Sequence, residues 1–206
     1  MHGVARLPPR STSSAMGDTL SFRMTTIAAA GLLAGCATVS LFGAPQIQAL
    51  YTRDLALYAT QSGEFATIVR GNPFGPGVDG EAIASVLRSP PWIRVTKFTT
   101  NPKPDTRSAY NIVLLFDPVR PGAGDSETCV SPQSEPVGGR SNAQMTRVVV
   151  TFCANGRAAS SVEGRIAVTS APTDPAFSHA LQRALMEMLP PRNPRIEEAS
   201  GSYSGA

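Results

Sequence analysis

Side chains able to do chemistry are sparse in this sequence: two histidines and three cysteines occur among 206 residues. A Ser-His-acid set would have to use His179, since the other histidine lies at position 2. No G-x-S-x-G occurs, and His179 falls beside Arg183 on the polar side of a helical pattern, so it reads as a solvated surface histidine. Glu81, Asp105, Asp117 and Glu163 are the carboxylates that could pair as acid and base, yet no spacing brings two of them together. Gly75-Pro76-Gly77-Val78-Asp79-Gly80 fits G-x-G-x-x-G after a strand pattern and before a helix pattern, the context of a dinucleotide-binding loop. The strands that follow read as hairpins instead of alternating with helices. No acid closes a second strand at the ribose-binding distance, so the loop reads as a turn leading into a capped helix. No cofactor is expected. Trp92, Phe74 and Tyr110 could line a ligand groove or simply pack against the core.

The cysteines carry more information than the histidines. From Met24 to Gly35 there is no charge; Ile27, Leu32 and Leu33 sit among Ala, Thr and Gly, and Arg23 supplies a basic flank. The run ends in Leu33-Ala34-Gly35-Cys36. About a dozen apolar residues suit a signal h-region and are too short to span a hydrocarbon core of roughly 30 Å. The segment resembles the lipobox of bacterial lipoprotein precursors at all four positions. The resemblance implies cleavage between Gly35 and Cys36, with thioether-linked diacylglycerol on Cys36. Residues 1–35 are then a signal peptide, for which Met16 or Met24 is an alternative start. Residues 36–44 are then a lipidated tether. Each buried CH₂ contributes about 0.8 kcal/mol, so two or three acyl chains hold the protein to one leaflet. Ala37 follows the cysteine where Asp would signal inner-membrane retention, which implies the periplasmic face of the outer membrane. The competing reading is a buried helix with a core cysteine.

Under the lipoprotein reading Cys129 and Cys153 remain as an even pair in a compartment that permits disulfides. They are expected to bond, tying a Gly/Pro/Ser-rich loop to a strand; the alternative is two separate thiols. No metal site is expected, because one histidine and two cysteines are too few for a closed zinc centre. Removing residues 1–35 takes away Arg6, Arg10, Arg23 and Asp18 and leaves the remainder close to neutral. Nucleic acid is therefore not an expected partner.

The elements that must position these residues follow from periodicity. Ile47, Leu50, Tyr51, Leu55 and Tyr58 predict a helix over 46–60, with a strand as the alternative. Strands are predicted at 65–69, 93–100, 110–117, 147–153 and 161–169, and a helix from Asp79 through Arg88. Both faces of 110–117 are apolar, so that strand should be central. Asn155-Gly156 predicts a hairpin, and residues 118–145 a long polar loop. Asp174-Pro175 opens the clearest helix, with Phe177, Ala180, Leu181, Ala184, Leu185 and Met188 on one face. The expected fold is α+β: a two-layer sandwich of a mostly antiparallel sheet of 4–5 strands with 2–3 helices on one face. It forms one domain over 45–190, followed by a disordered tail over 191–206.

The remainder of the chain resembles uncharacterised proteobacterial envelope lipoproteins. In architecture it is similar to accessory lipoproteins such as the lipopolysaccharide-assembly family, a fold-level analogy. The expected function is that of a non-enzymatic lipoprotein facing the periplasm. It would be held to the membrane by its N-terminal lipid, and would bind an envelope protein partner or support envelope assembly. The alternatives are a binder of lipid, glycan or small ligand in a groove between helices and sheet, and a hydrolase of envelope polymers using His179 or two carboxylates.

Overall fold

The computed structural model describes residues 40–94, 97–119, 126–132, 137–138 and 145–196. Gly35 and Cys36 lie outside the described residues, as do residues 37–39 of the expected tether; its Leu41 and Phe42 are not free tether but a short strand paired into the sheet. The chain divides into Met1–Cys36 and Ala37–Ala206, and every residue described belongs to the second unit.

Eleven elements follow in chain order: β1 (Leu41–Phe42), β2 (Gln46–Ile47), α1 (Arg53–Ala59), β3 (Glu64–Arg70), α2 (Gly80–Ser85), β4 (Lys97–Thr99), β5 (Tyr110–Phe116), α3 (Ser126–Val130), β6 (Met145–Ala154), β7 (Arg157–Ala167) and α4 (Pro175–Met188). The strands form one open sheet in the order β1-β7-β6-β5-β3-β4, with β2 also on β7. The class is α+β as expected, but the sheet has seven strands, not 4–5. The added ones, β1 and β2, are two residues each, too short for an alternation to register.

Two further expectations are corrected. β3 runs parallel to both β4 and β5, so β4 and β5 are not hairpin partners; β3 lies between them. The connection over residues 100–109 must carry the chain past β3. The predicted helix over 46–60 is α1 alone, because Thr52 in extended conformation accepts the Leu55 N–H and starts the helix there. Ile47 is buried in β2 beside β7 and Tyr51 is buried just past a turn closed by its N–H on the Gln48 carbonyl, so their four-residue spacing only imitates a helical period.

The Asn155-Gly156 hairpin is present. Both residues have positive φ, 51° and 73°, as a tight two-residue turn between twisted strands requires. β5 is central, and both of its faces are buried. Ile112, Leu114 and Phe116 join Val148, Val150, Phe152, Val162 and Ile166 beneath α1, α2 and α4. Val113 packs with Cys129, Cys153 and Ala158 on the other face, and Leu115 packs with Val149 and the half-buried Val137. Cys129 belongs to α3, so helices lie on both faces and not on one. The second apolar row of β5 requires that cover.

The C-terminal end of α4 is fastened to the segment before α1. The Tyr51 hydroxyl donates to the Pro190 carbonyl at 2.6 Å. The buried Asn193 donates to the Gln48 and Tyr51 carbonyls at 3.0 and 2.8 Å. A turn of helix follows at 194–196, and residues 197–206 lie outside the described residues. Asn193→Ala strands two carbonyls and should lower stability by about 2 kcal/mol in urea unfolding. A change within error would show that this junction does not contribute to the fold.

Candidate functional site

Cys129 and Cys153 form a disulfide with their Cα atoms 5.5 Å apart, joining α3 to β6. Among the described residues, no helix is long and apolar enough to cross a membrane. No three His, Cys, Asp or Glu side chains gather as metal ligands among them either.

Among the described residues, none of the clefts beside Glu163, His179 and Trp92 is lined by two of the four candidate carboxylates. Arg147 reaches Glu163 through Nε at 2.6 Å and Nη2 at 2.9 Å, and its backbone N–H donates to Asp117 at 3.0 Å. The Arg147 bonds hold Glu163 below the usual carboxylate range. Glu81 ties α2 to the end of β4. It accepts from the Thr99 hydroxyl at 2.9 Å, the Thr100 N–H at 2.6 Å and the Thr100 hydroxyl at 2.9 Å, and pairs with Lys97 at 3.3 Å. Burial alone would raise the Glu81 pKa, but these donors outweigh it and the net shift is downward. Asp105 is exposed.

A fifth carboxylate, Glu64, was not singled out by the sequence because nothing about its spacing is unusual. It begins β3 and is buried. The connection from β4 to β5 wraps onto it. The Lys103 N–H donates at 3.0 Å, the Thr106 hydroxyl at 3.2 Å, and the Lys103 ammonium pairs at 3.2 Å. The Lys103 backbone bond, with help from its ammonium and Thr106, holds Glu64 below its ordinary value against the opposing effect of burial.

His179 stands exposed on α4 and lines a shallow cleft of about 300 Å³ with Val86, Arg88, Thr173, Ser178 and Gln182. None of these lining residues is a carboxylate. The glycine-rich loop is filled by its own Asn72, which donates to the Gly75 and Val78 carbonyls and accepts the Phe74 N–H at 2.8 Å. Asp79 then caps α2 through the Ala82 N–H at 2.7 Å. Phe74 packs edge-on against Phe177 at 4.8 Å, and Tyr110 against Tyr58 at 5.5 Å, so these two aromatics support the core and its rim.

Trp92 is different. It lines an open groove of about 490 Å³ between α1 and residues 91–94, together with Arg53, Leu57, Thr60, Gln61, Pro91 and Arg94. Its indole N–H donates to the Leu189 carbonyl at 3.2 Å, which fixes the ring. The Arg53 guanidinium lies over that ring, 5.9 Å from its centre. Gln61 accepts from Arg107 at 2.8 Å, and Arg107 stacks on Tyr58 at 3.7 Å. Charge in and beside the groove is cationic, next to an aromatic platform. The sequence pointed to Trp92 but not to Arg53, Gln61 or Arg94; no motif links residues so far apart.

No family model, curated protein or solved structure matches the chain.

The lowered pKa values of Glu64 and Glu81 give a sign to the acid response. Each contributes stability that is complete above its ordinary value of 4.5 and is lost as pH falls through the lower folded value. The wild-type Tm should therefore drop on acidification below about pH 4.5. Glu64→Gln should start lower at neutral pH and lose less on acidification. An acid loss as large as that of the wild type would place the response elsewhere.

Proposed function

We propose that this chain is an exported lipoprotein, anchored through Cys36 to the periplasmic face of the outer membrane. Its folded domain binds an envelope protein partner or supports envelope assembly, without catalysis of its own. The observation that carries this reading is the Cys129–Cys153 disulfide. Structural disulfides persist in oxidising compartments, and export supplies one. The lipobox resemblance at Leu33-Ala34-Gly35-Cys36 supplies the route and the anchor. The groove beside Trp92 favours a second reading, in which the domain binds a small ligand or glycan.

Two measurements test the exported state. Cells fed labelled palmitate should label the wild-type chain, whereas Cys36→Ala should take no label and accumulate as unprocessed precursor. Persistent labelling of that variant refutes the lipobox. Alkylation of the purified protein before reduction should modify neither Cys129 nor Cys153. The bond spans 24 residues, and reducing it should cost about 3 kcal/mol by the loop-entropy model. A free thiol at Cys129 in protein isolated from cells removes the main support for export.

A further inference from the structure

We propose that the groove between α1 and residues 91–94 binds a carboxylated saccharide. The sugar ring lies against the indole of Trp92, and its carboxylate is taken by Arg53 and Arg94. Four observations carry the assignment. The volume, about 490 Å³, suits one or two sugar rings. Trp92 is the one tryptophan of the chain, and its N–H is committed to the Leu189 carbonyl, so the ring is a fixed platform and not a mobile side chain. Aromatic faces of this kind match the C–H face of a pyranose. Neither Arg53 nor Arg94 has a carboxylate partner among the described residues, although Lys97, Lys103, Arg147 and Arg183 all do. Finally, Gln61 uses its carbonyl on Arg107, which leaves its amide nitrogen without a partner among the described residues and available to a hydroxyl.

An acidic peptide fits less well. It would be held through main-chain pairing at a strand edge or laid as a helix on a wide apolar trough. The groove is walled by a helix and a turn, and only Leu57, Pro91 and Trp92 are apolar. Guanidinium forks take carboxylate and phosphate alike, so glucose 6-phosphate and AMP in the test below separate the two anions. The choice of a sugar over a nucleotide rests on the export reading proposed above.

The test is a titration of the full chain in detergent micelles with trigalacturonate, followed by the emission of Trp92. Calorimetry runs in parallel so that a silent indole is not mistaken for an absence of binding. We expect saturable binding that weakens with added salt, and no binding of maltotriose, polyglutamate, glucose 6-phosphate or AMP. Arg94 is exposed, so Arg94→Gln should keep the wild-type Tm while weakening trigalacturonate about tenfold. No binding of trigalacturonate overturns the proposal. Equal binding of maltotriose, polyglutamate, glucose 6-phosphate or AMP, or unchanged affinity in Arg94→Gln, also overturns it. Palmitate labelling at Cys36 reports on the export reading alone, so failure of that reading is distinguishable from failure of this one.

Discussion

A sheet with two apolar faces needs cover on both, and this requirement organises the domain. Ile112, Leu114 and Phe116 on one side of β5, and Val113 and Leu115 on the other, are all buried. The first row is covered by α4, whose Phe177, Leu181, Leu185 and Met188 form one continuous face. Among the described residues, the second row has no long helix to cover it. It has the short helix α3, five residues long and too short to be stable on its own. The disulfide compensates. Cys129 is held against Cys153 and Val113, so covalent geometry replaces the apolar area that a longer helix would have buried.

The parallel placement of β3 between β4 and β5 imposes a second requirement. Parallel neighbours need a crossover, and the chain makes one with α2 and another with a loop of ten residues. A loop has no apolar face to hold it down, so a buried carboxylate does so instead. Glu64 accepts one backbone N–H and one hydroxyl from that loop and pairs with its ammonium. Glu81 does the equivalent for α2 through Thr99, Thr100 and Lys97. Of the acidic groups that could have suggested catalysis, Glu81, Asp117 and Glu163 are thus occupied in fastening a crossover and strand ends, and Asp105 stands exposed.

What could be read from the sequence was what depends on local periodicity. The α4 stripe, its Asp174 cap, the two-sided β5 and the Asn155-Gly156 turn each rest on residues within one element or one turn. So did the cysteine pair, through parity and not geometry. Partnership was not legible. Lys97–Thr99 and Tyr110–Phe116 look like consecutive hairpin strands because sequence adjacency is the only cue, yet β3 inserts between them. Ile47 and Tyr51 mimic a helical repeat although one lies in β2 and the other just past a turn, since tertiary burial overrides propensity there. The groove was half legible: a lone tryptophan draws notice in any sequence, but Arg53, Gln61 and Arg94 meet it only through the fold.

That meeting depends on the end of α4. A helix leaves its last carbonyls without internal donors, and a buried terminus must find them elsewhere. Leu189 and Pro190 lie just beyond α4, and their carbonyls receive the Trp92 indole and the Tyr51 hydroxyl, donors from two distant segments. Asn193 then returns two bonds to the Gln48 and Tyr51 carbonyls. The same junction therefore satisfies the α4 terminus, seats the segment that leads into α1, and orients the indole that floors the groove. The groove walls come from α1 and residues 91–94, and both are registered against this one point. Rigidity at the groove is thus a by-product of solving the helix-end problem, which is how a small domain can hold an aromatic platform at its rim without a dedicated supporting layer.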